Sequence, residues 1–164
     1  MSNAAWLAII LFLFAPLSSS RAYDNTPLPS GPPGDFTADI GGFDGPNYHV
    51  ELKHDGVYYE SSGAGNVQEK AIVHPDHEAW AKFIQALNAV KFYRWAPSYS
   101  SDVLDGVQWK IRLRVGDRVI LSQGSNNFPR DGDERQPSNS WPAPSKSFQS
   151  FCQAVSQLVG KPFH

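Results

Sequence analysis

The fold class of this chain of 164 residues is decided by one stretch, Tyr48-His-Val-Glu-Leu-Lys-His-Asp-Gly-Val-Tyr-Tyr-Glu-Ser61. It consists of two β-prone runs around Asp55-Gly56, and such a pattern is the strongest short signal for a β-hairpin. In the first run Tyr48, Val50 and Leu52 alternate with polar residues, so one face of the strand is expected to be buried and the other wet. The stretch therefore predicts the start of an antiparallel sheet.

A second hairpin is predicted over residues 107–122, where β-prone runs flank a Gly116-Asp117 turn. The polar positions of its first strand are Gln108, Lys110, Arg112 and Arg114. Because they alternate with apolar residues, they fit the solvated face of a strand better than a stripe that binds polyanions. A further short strand is predicted near residues 70–73, which completes an antiparallel sheet of two hairpins and one strand.

Two amphipathic helices are predicted to pack on one face of this sheet. The first begins at His74-Pro-Asp-His-Glu78, where proline and acidic side chains favour a helix N-terminus, and apolar residues follow at helical spacing up to Val90. The second covers about residues 147–159, and Gly160 is expected to end it as a C-terminal cap. The predicted fold class is therefore a two-layer α+β domain.

The first 22 residues have the features of a secretory signal peptide. The apolar core Trp6-Leu-Ala-Ile-Ile-Leu-Phe-Leu-Phe14 carries no charge and is shorter than the roughly 20 residues that a membrane-spanning helix needs. Small residues in Ser20-Arg-Ala22 fit cleavage after Ala22. Since Met1-Ser-Asn3 contains no Lys or Arg, a retained N-terminal anchor stays open as an alternative. The prediction is a periplasmic or secreted protein that, once the signal is cleaved, has no stable insertion in a membrane.

Composition sets further bounds on the mature chain. Residues 23–35 are rich in Pro and Gly and predict a linker, so the single folded domain is expected over residues 36–164. The full chain has a formal net charge of −2 with interspersed charges, which gives no reason to expect a nucleic-acid partner. Cys152 is the only cysteine, which excludes an intramolecular disulfide, and its place on the apolar side of the second helix predicts a small buried hydrophobe.

Polar and aromatic residues suited to recognition gather at one end of the second hairpin. If its strands pair across Gly116-Asp117, the chain before the first strand lies beside the chain after the second, and the two would form a rim for a ligand or another protein. The candidate binding residues are Trp95, Tyr99, Asp102, Asp105, Ser125, Asn126 and Asn127. The alternative is that the Asp-Gly and Asn-Asn pairs only form turns and that Trp109 belongs to the core.

No sequence motif identifies an enzyme or a metal site. The chain has no Gly-x-Ser-x-Gly elbow, no phosphate loop and no His-Glu-x-x-His pair, and two nearby carboxylates such as Asp102 and Asp105 are too common to identify a glycosidase. His74 and His77 would supply two ligands, whereas zinc needs three or four. We therefore assign no catalytic residue, metal or cofactor, and the sequence favours a binding protein over an enzyme.

The Asp-Gly hairpin, the segment Asp105-Gly-Val-Gln-Trp109 and the turn Gly124-Ser-Asn-Asn-Phe-Pro129 resemble a family of small bacterial exported domains of unknown function. The resemblance spans about residues 46–163 and implies an envelope protein, but it carries over no catalytic residue. The long insertion between Pro129 and Ser145 departs from the family pattern.

The leading hypothesis is a binding module of the inhibitor or immunity type whose partner is another envelope or secreted protein. One alternative is an envelope hydrolase that uses Asp102 and Asp105. The other is a structural component of the envelope, which would show an extended apolar patch.

Overall fold

The computed structural model describes residues 25–42, 45–101, 106–130 and 144–164, which form one seven-stranded sheet and two α-helices. The strands are β1 (Asp35–Gly41), β2 (Asn47–Lys53), β3 (Gly56–Gly63), β4 (Asn66–Val73), β5 (Ser98–Ser100), β6 (Gln108–Val115) and β7 (Arg118–Ser125). Their order is β4-β3-β2-β1-β6-β7-β5. All neighbouring strands are antiparallel except β5 and β7, which are parallel.

The sheet confirms the α+β class and both predicted hairpins, but it is larger than two hairpins and one short strand. The additional β1 joins the hairpins, since its Ala38 lies opposite Val50 of β2 on one side and Ile111 of β6 on the other. The additional β5 has only three residues, Ser98–Ser100, and this is too short for an alternating pattern to be recognised.

Two helices, α1 (His77–Ala89) and α2 (Lys146–Val159), cover one face of the sheet. The ring of Phe36 on β1 meets Phe83 of α1 with centroids 5.0 Å apart. Trp109 on β6 meets Phe148 of α2 at 4.9 Å. Burying one such aromatic side chain stabilises the fold by roughly 1.5–3 kcal/mol, so these contacts hold the two layers together. The other face of the sheet, called the open face below, carries the alternate side chains of each strand.

Local capping residues fix the ends of both helices. The Asp76 carboxylate accepts a hydrogen bond from the Ala79 N–H at 2.7 Å, so α1 starts after Asp76, later than predicted from His74 and Pro75. At α2 the Ser145 hydroxyl accepts from the Phe148 N–H. Gly160 ends α2 in the left-handed conformation, as predicted.

The turn of the first hairpin lies one residue earlier than the sequence pattern indicated. Lys53 pairs with Gly56, so His54 and Asp55 form the two-residue connection and Gly56 belongs to β3. Gly56 has a φ of 143°, and a Cβ atom there would lie 2.7 Å from the Val73 carbonyl oxygen. Glycine is therefore required by the close approach of β4 as well as by the turn.

The described part of the predicted linker packs against the domain. The Leu28 side chain is buried, and its backbone N–H and carbonyl both bind the Asn88 side chain of α1, at 2.7 and 2.8 Å. The predicted signal peptide, residues 1–22, lies outside the described residues. Neither described helix combines the length and the apolar character that crossing a bilayer demands.

Candidate functional site

The aromatic residues predicted as binding residues belong to the core. Trp95 and Tyr99 are only 4% and 3% exposed. The Trp95 indole N–H donates to the Val90 carbonyl, and the Tyr99 hydroxyl accepts from the Ala96 N–H at 2.8 Å. Both side chains therefore support the loop that leads into β5.

The asparagines predicted at the same end are also buried. Asn127 is fully buried, and its side chain donates to the Ser100 carbonyl and accepts from the Phe128 N–H. Its own carbonyl accepts from the Trp109 indole N–H at 2.8 Å. Asn126 has a φ of 50° and is 3% exposed. Both asparagines are therefore held within the fold, and Trp109, which the alternative prediction placed in the core, is 3% exposed.

The remaining predicted residues fall in two groups. Ser125 is half-buried at the end of β7 and lines a groove on the open face, together with part of Tyr99. Asp102 and Asp105 lie outside the described residues. The structure therefore brings Trp95, Tyr99, Ser125, Asn126 and Asn127 to one end of the sheet, although most of these side chains face the core.

The groove has a volume of about 910 Å³ and runs across the open face from β3 to β5. Its floor is a cross-strand line of side chains that we call the polar row: Glu60, His49, Asp39, Lys110 and Gln123. Each member lies opposite the next in the strand register, because residues paired between neighbouring strands point to the same face. The wall of the groove includes Gly42 and Gly106.

His49 of the polar row lies between two carboxylates, Asp39 in the row and Glu51 beside it on β2. Its Nδ1 lies 2.6 Å from Asp39 Oδ1, and its Nε2 lies 3.5 Å from Glu51 Oε2. The hydrogen bond with Asp39 raises the pKa of His49 above its ordinary value, and partial burial opposes this effect. Protonated His49 is thus favoured beside Asp39.

Glu60 is neutralised at the β3 end of the polar row. It accepts a hydrogen bond from the Tyr58 hydroxyl and forms an ion pair with Lys70 at 3.4 Å. The hydrogen bond from Tyr58 is the main reason why the pKa of Glu60 is lowered. The acidic half of the groove therefore has its charges matched by the protein itself.

Lys110 is different, because its ammonium group has no ion pair or hydrogen bond with any described residue. Its neighbours Gln108 and Gln123 are also exposed, and their side-chain amides make no hydrogen bond within the described ranges. The β5 hydroxyls of Ser98 and Ser100 line the same part of the groove. This half of the groove therefore presents several polar groups that a bound molecule could use.

The sequence pattern predicts Lys110 on the solvated face of a strand, and no motif points to a site at Asp39, His49 or Glu60. The sequence shows the alternation of polar residues in β2 and β6, but the polar row depends on β1, which joins these two strands.

Among the described residues no three His, Cys, Asp or Glu side chains are grouped so that they could hold a metal ion. His77 is the first residue of α1 and His74 precedes it.

Comparison with known proteins assigns no family, since no protein-family model matches the chain and a search of curated proteins gives no significant match. The function must therefore be argued from the groove and the groups that line it.

Proposed function

We propose that this chain is an exported binding module, of the inhibitor or immunity type, that holds part of another protein in the groove of its open face. The observation that carries the proposal is the groove itself, with Lys110, Gln108 and Gln123 exposed along it and unpaired within the described part of the chain. Such groups are in contact with water in the free protein, and a complementary surface can replace that water with specific hydrogen bonds.

The shape of the groove favours a protruding segment of a protein. Its volume of about 910 Å³ lies at the upper end of the range for ligand pockets. It crosses the strands of a sheet whose opposite face packs on two helices, so the surface is largely preformed. A preformed surface loses little conformational entropy on association.

Binding is better supported than catalysis by the groups on the polar row. Its carboxylates are already engaged, Asp39 with His49 and Glu60 with Lys70. The hydrolase alternative rests on Asp102 and Asp105, which lie outside the described residues, and it stays a prediction. Export to the periplasm or medium likewise rests on the signal sequence alone.

A structural envelope component would need a continuous apolar surface. Among the described residues, the exposed large apolar side chains of the open face are Val67 and Ile72 on β4 and Val119 and Leu121 on β7. These strands lie at opposite sides of the sheet, with the charged strands β3, β2, β1 and β6 between them. Separate small apolar groups of this kind are normal on a soluble surface and favour no assembly role.

A bulky substitution in the groove tests the proposal. Gln123→Trp should fill the floor of the groove and reduce recovery of the partner from an envelope extract by about tenfold, since the partner can no longer reach the strand. The matched control is Gln85→Trp on the exposed side of α1. Equal recovery by both variants, with thermal midpoints unchanged, would contradict binding in the groove.

A further inference from the structure

The two halves of the groove differ in charge. In the half that contains Glu60, His49 and Asp39, each charged group has a partner of opposite sign within 4.0 Å. The other half, which we call the basic corner, consists of Lys110, Gln108, Gln123, Ser98 and Ser100. Asp39 lies opposite Lys110 in the register but forms its short contact with His49, outside ion-pair distance of Lys110.

We propose that the basic corner binds a carboxylate from an acidic segment of the partner protein, an inference that rests on the proposed function. An ammonium group gains a short, charge-assisted hydrogen bond when it meets a carboxylate. The exposed amides of Gln108 on β6 and of Gln123, which lies opposite Lys110 on β7, offer further N–H donors. These amides would bind the second carboxylate oxygen.

The carboxylates elsewhere in the groove make the position of this contact specific. An acidic side chain placed over Asp39 and Glu60 finds cations that are already paired, with His49 on Asp39 and Lys70 on Glu60, whereas the ammonium group of Lys110 has no described partner and attracts it. A partner that carries its acidic residue at one end of the bound segment is therefore held in one direction. The charge pattern thus sets orientation in addition to adding affinity.

A defined peptide tests this assignment directly. The probe is a tetraglutamate peptide with blocked ends, added to the full chain labelled with nitrogen-15. We expect saturable shifts of the amide signals of Gln108, Lys110 and Gln123, and an affinity about tenfold lower in Lys110→Met. Lys82→Met, on the 70% exposed Lys82 of α1, is the control and should bind like the wild type. A blocked tetraglutamine peptide should give no saturable shifts.

Three results would overturn the assignment. The first is unchanged tetraglutamate affinity in Lys110→Met, and the second is a set of shifts confined to the helices. The third is tighter binding of tetragalacturonate than of the peptide, which would assign the site to an acidic glycan.

Partner recovery distinguishes the two proposals. If Gln123→Trp abolishes partner recovery while Lys110→Met leaves it unchanged, the proposal of binding in the groove is retained and the proposal of an acidic partner segment is rejected. If neither variant has an effect, both proposals fail.

Discussion

Asn127 joins three segments of the chain, because its side-chain and backbone groups bind Ser100, Phe128 and Trp109. A fully buried amide without these partners would cost about 1–3 kcal/mol, so its hydrogen bonds are needed to keep the ends of β5, β6 and β7 together. Asn127 of the Gly-Ser-Asn-Asn sequence thus stabilises the fold and holds the strands beside the groove in place, although its side chain is buried and cannot contact a ligand. Under the proposed function, the exposed residues of the groove carry the recognition instead.

His49 provides a pH-dependent contribution to stability. Its folded-state pKa is raised, so the contribution is fully present below the ordinary pKa of about 6.5 and is lost as the pH rises through the folded value. The difference in unfolding free energy between the wild type and His49→Gln should therefore shrink from about pH 6 to about pH 9. Because His49 is 35% exposed, solvent screening limits the difference to below about 1 kcal/mol.

Urea unfolding of both proteins across this pH range measures the effect. Gln85→Ala, a change of an uncharged side chain on the exposed side of α1, serves as the control and should show no comparable pH dependence. A His49→Gln effect that is constant with pH, or that grows as the pH rises, would refute the ionic contact with Asp39.

The N-terminal segment, residues 25–33, is attached to α1 and β7 by hydrogen bonds. Asn88 binds both backbone groups of Leu28, and Arg118 donates to the Thr26 carbonyl at 2.5 Å. Asn88→Ala should lower the free energy of unfolding by about 1–3 kcal/mol, because Leu28 loses both hydrogen bonds. It should also make residues 25–33 more sensitive to proteases, since most residues of this segment are exposed.

Limited proteolysis followed by mass analysis checks this prediction, with Gln85→Ala on the exposed side of α1 as the control. If the cleavage sites and unfolding midpoint of Asn88→Ala match those of the control, the segment does not depend on Asn88.

The elements that the sequence predicted correctly carry their own local signals. Gly116-Asp117 between two alternating runs indicated the β6–β7 hairpin. Gly160, which follows apolar residues at helical spacing, indicated the end of α2. By contrast, β1 pairs Phe36 with Leu113, far along the chain, and no local pattern encodes that partner. The polar row needs this pairing, so the groove could not be predicted although each of its residues was visible in the sequence.

At the scale of the molecule, both described helices lie on one face of the sheet and leave the other face uncovered by a helix. The sheet edge at β4 shows how this open arrangement is protected, because the strand carries Lys70 and Glu69 and contains an irregularity opposite Ser61 and Ser62. Charged side chains and bulges at an edge discourage pairing with another chain. The groove on the face, rather than the edge, is therefore the surface best suited to a specific partner.

The most direct measurement of the central claim is photo-crosslinking from two matched glutamine positions in cells that make the protein. A photoreactive amino acid is placed at Gln123 in the groove or at Gln85 on α1, both exposed. We expect a discrete covalent adduct with one partner protein from position 123 and none from position 85. An adduct formed from position 85 but not from position 123 would contradict the account and place the binding surface on the helical side.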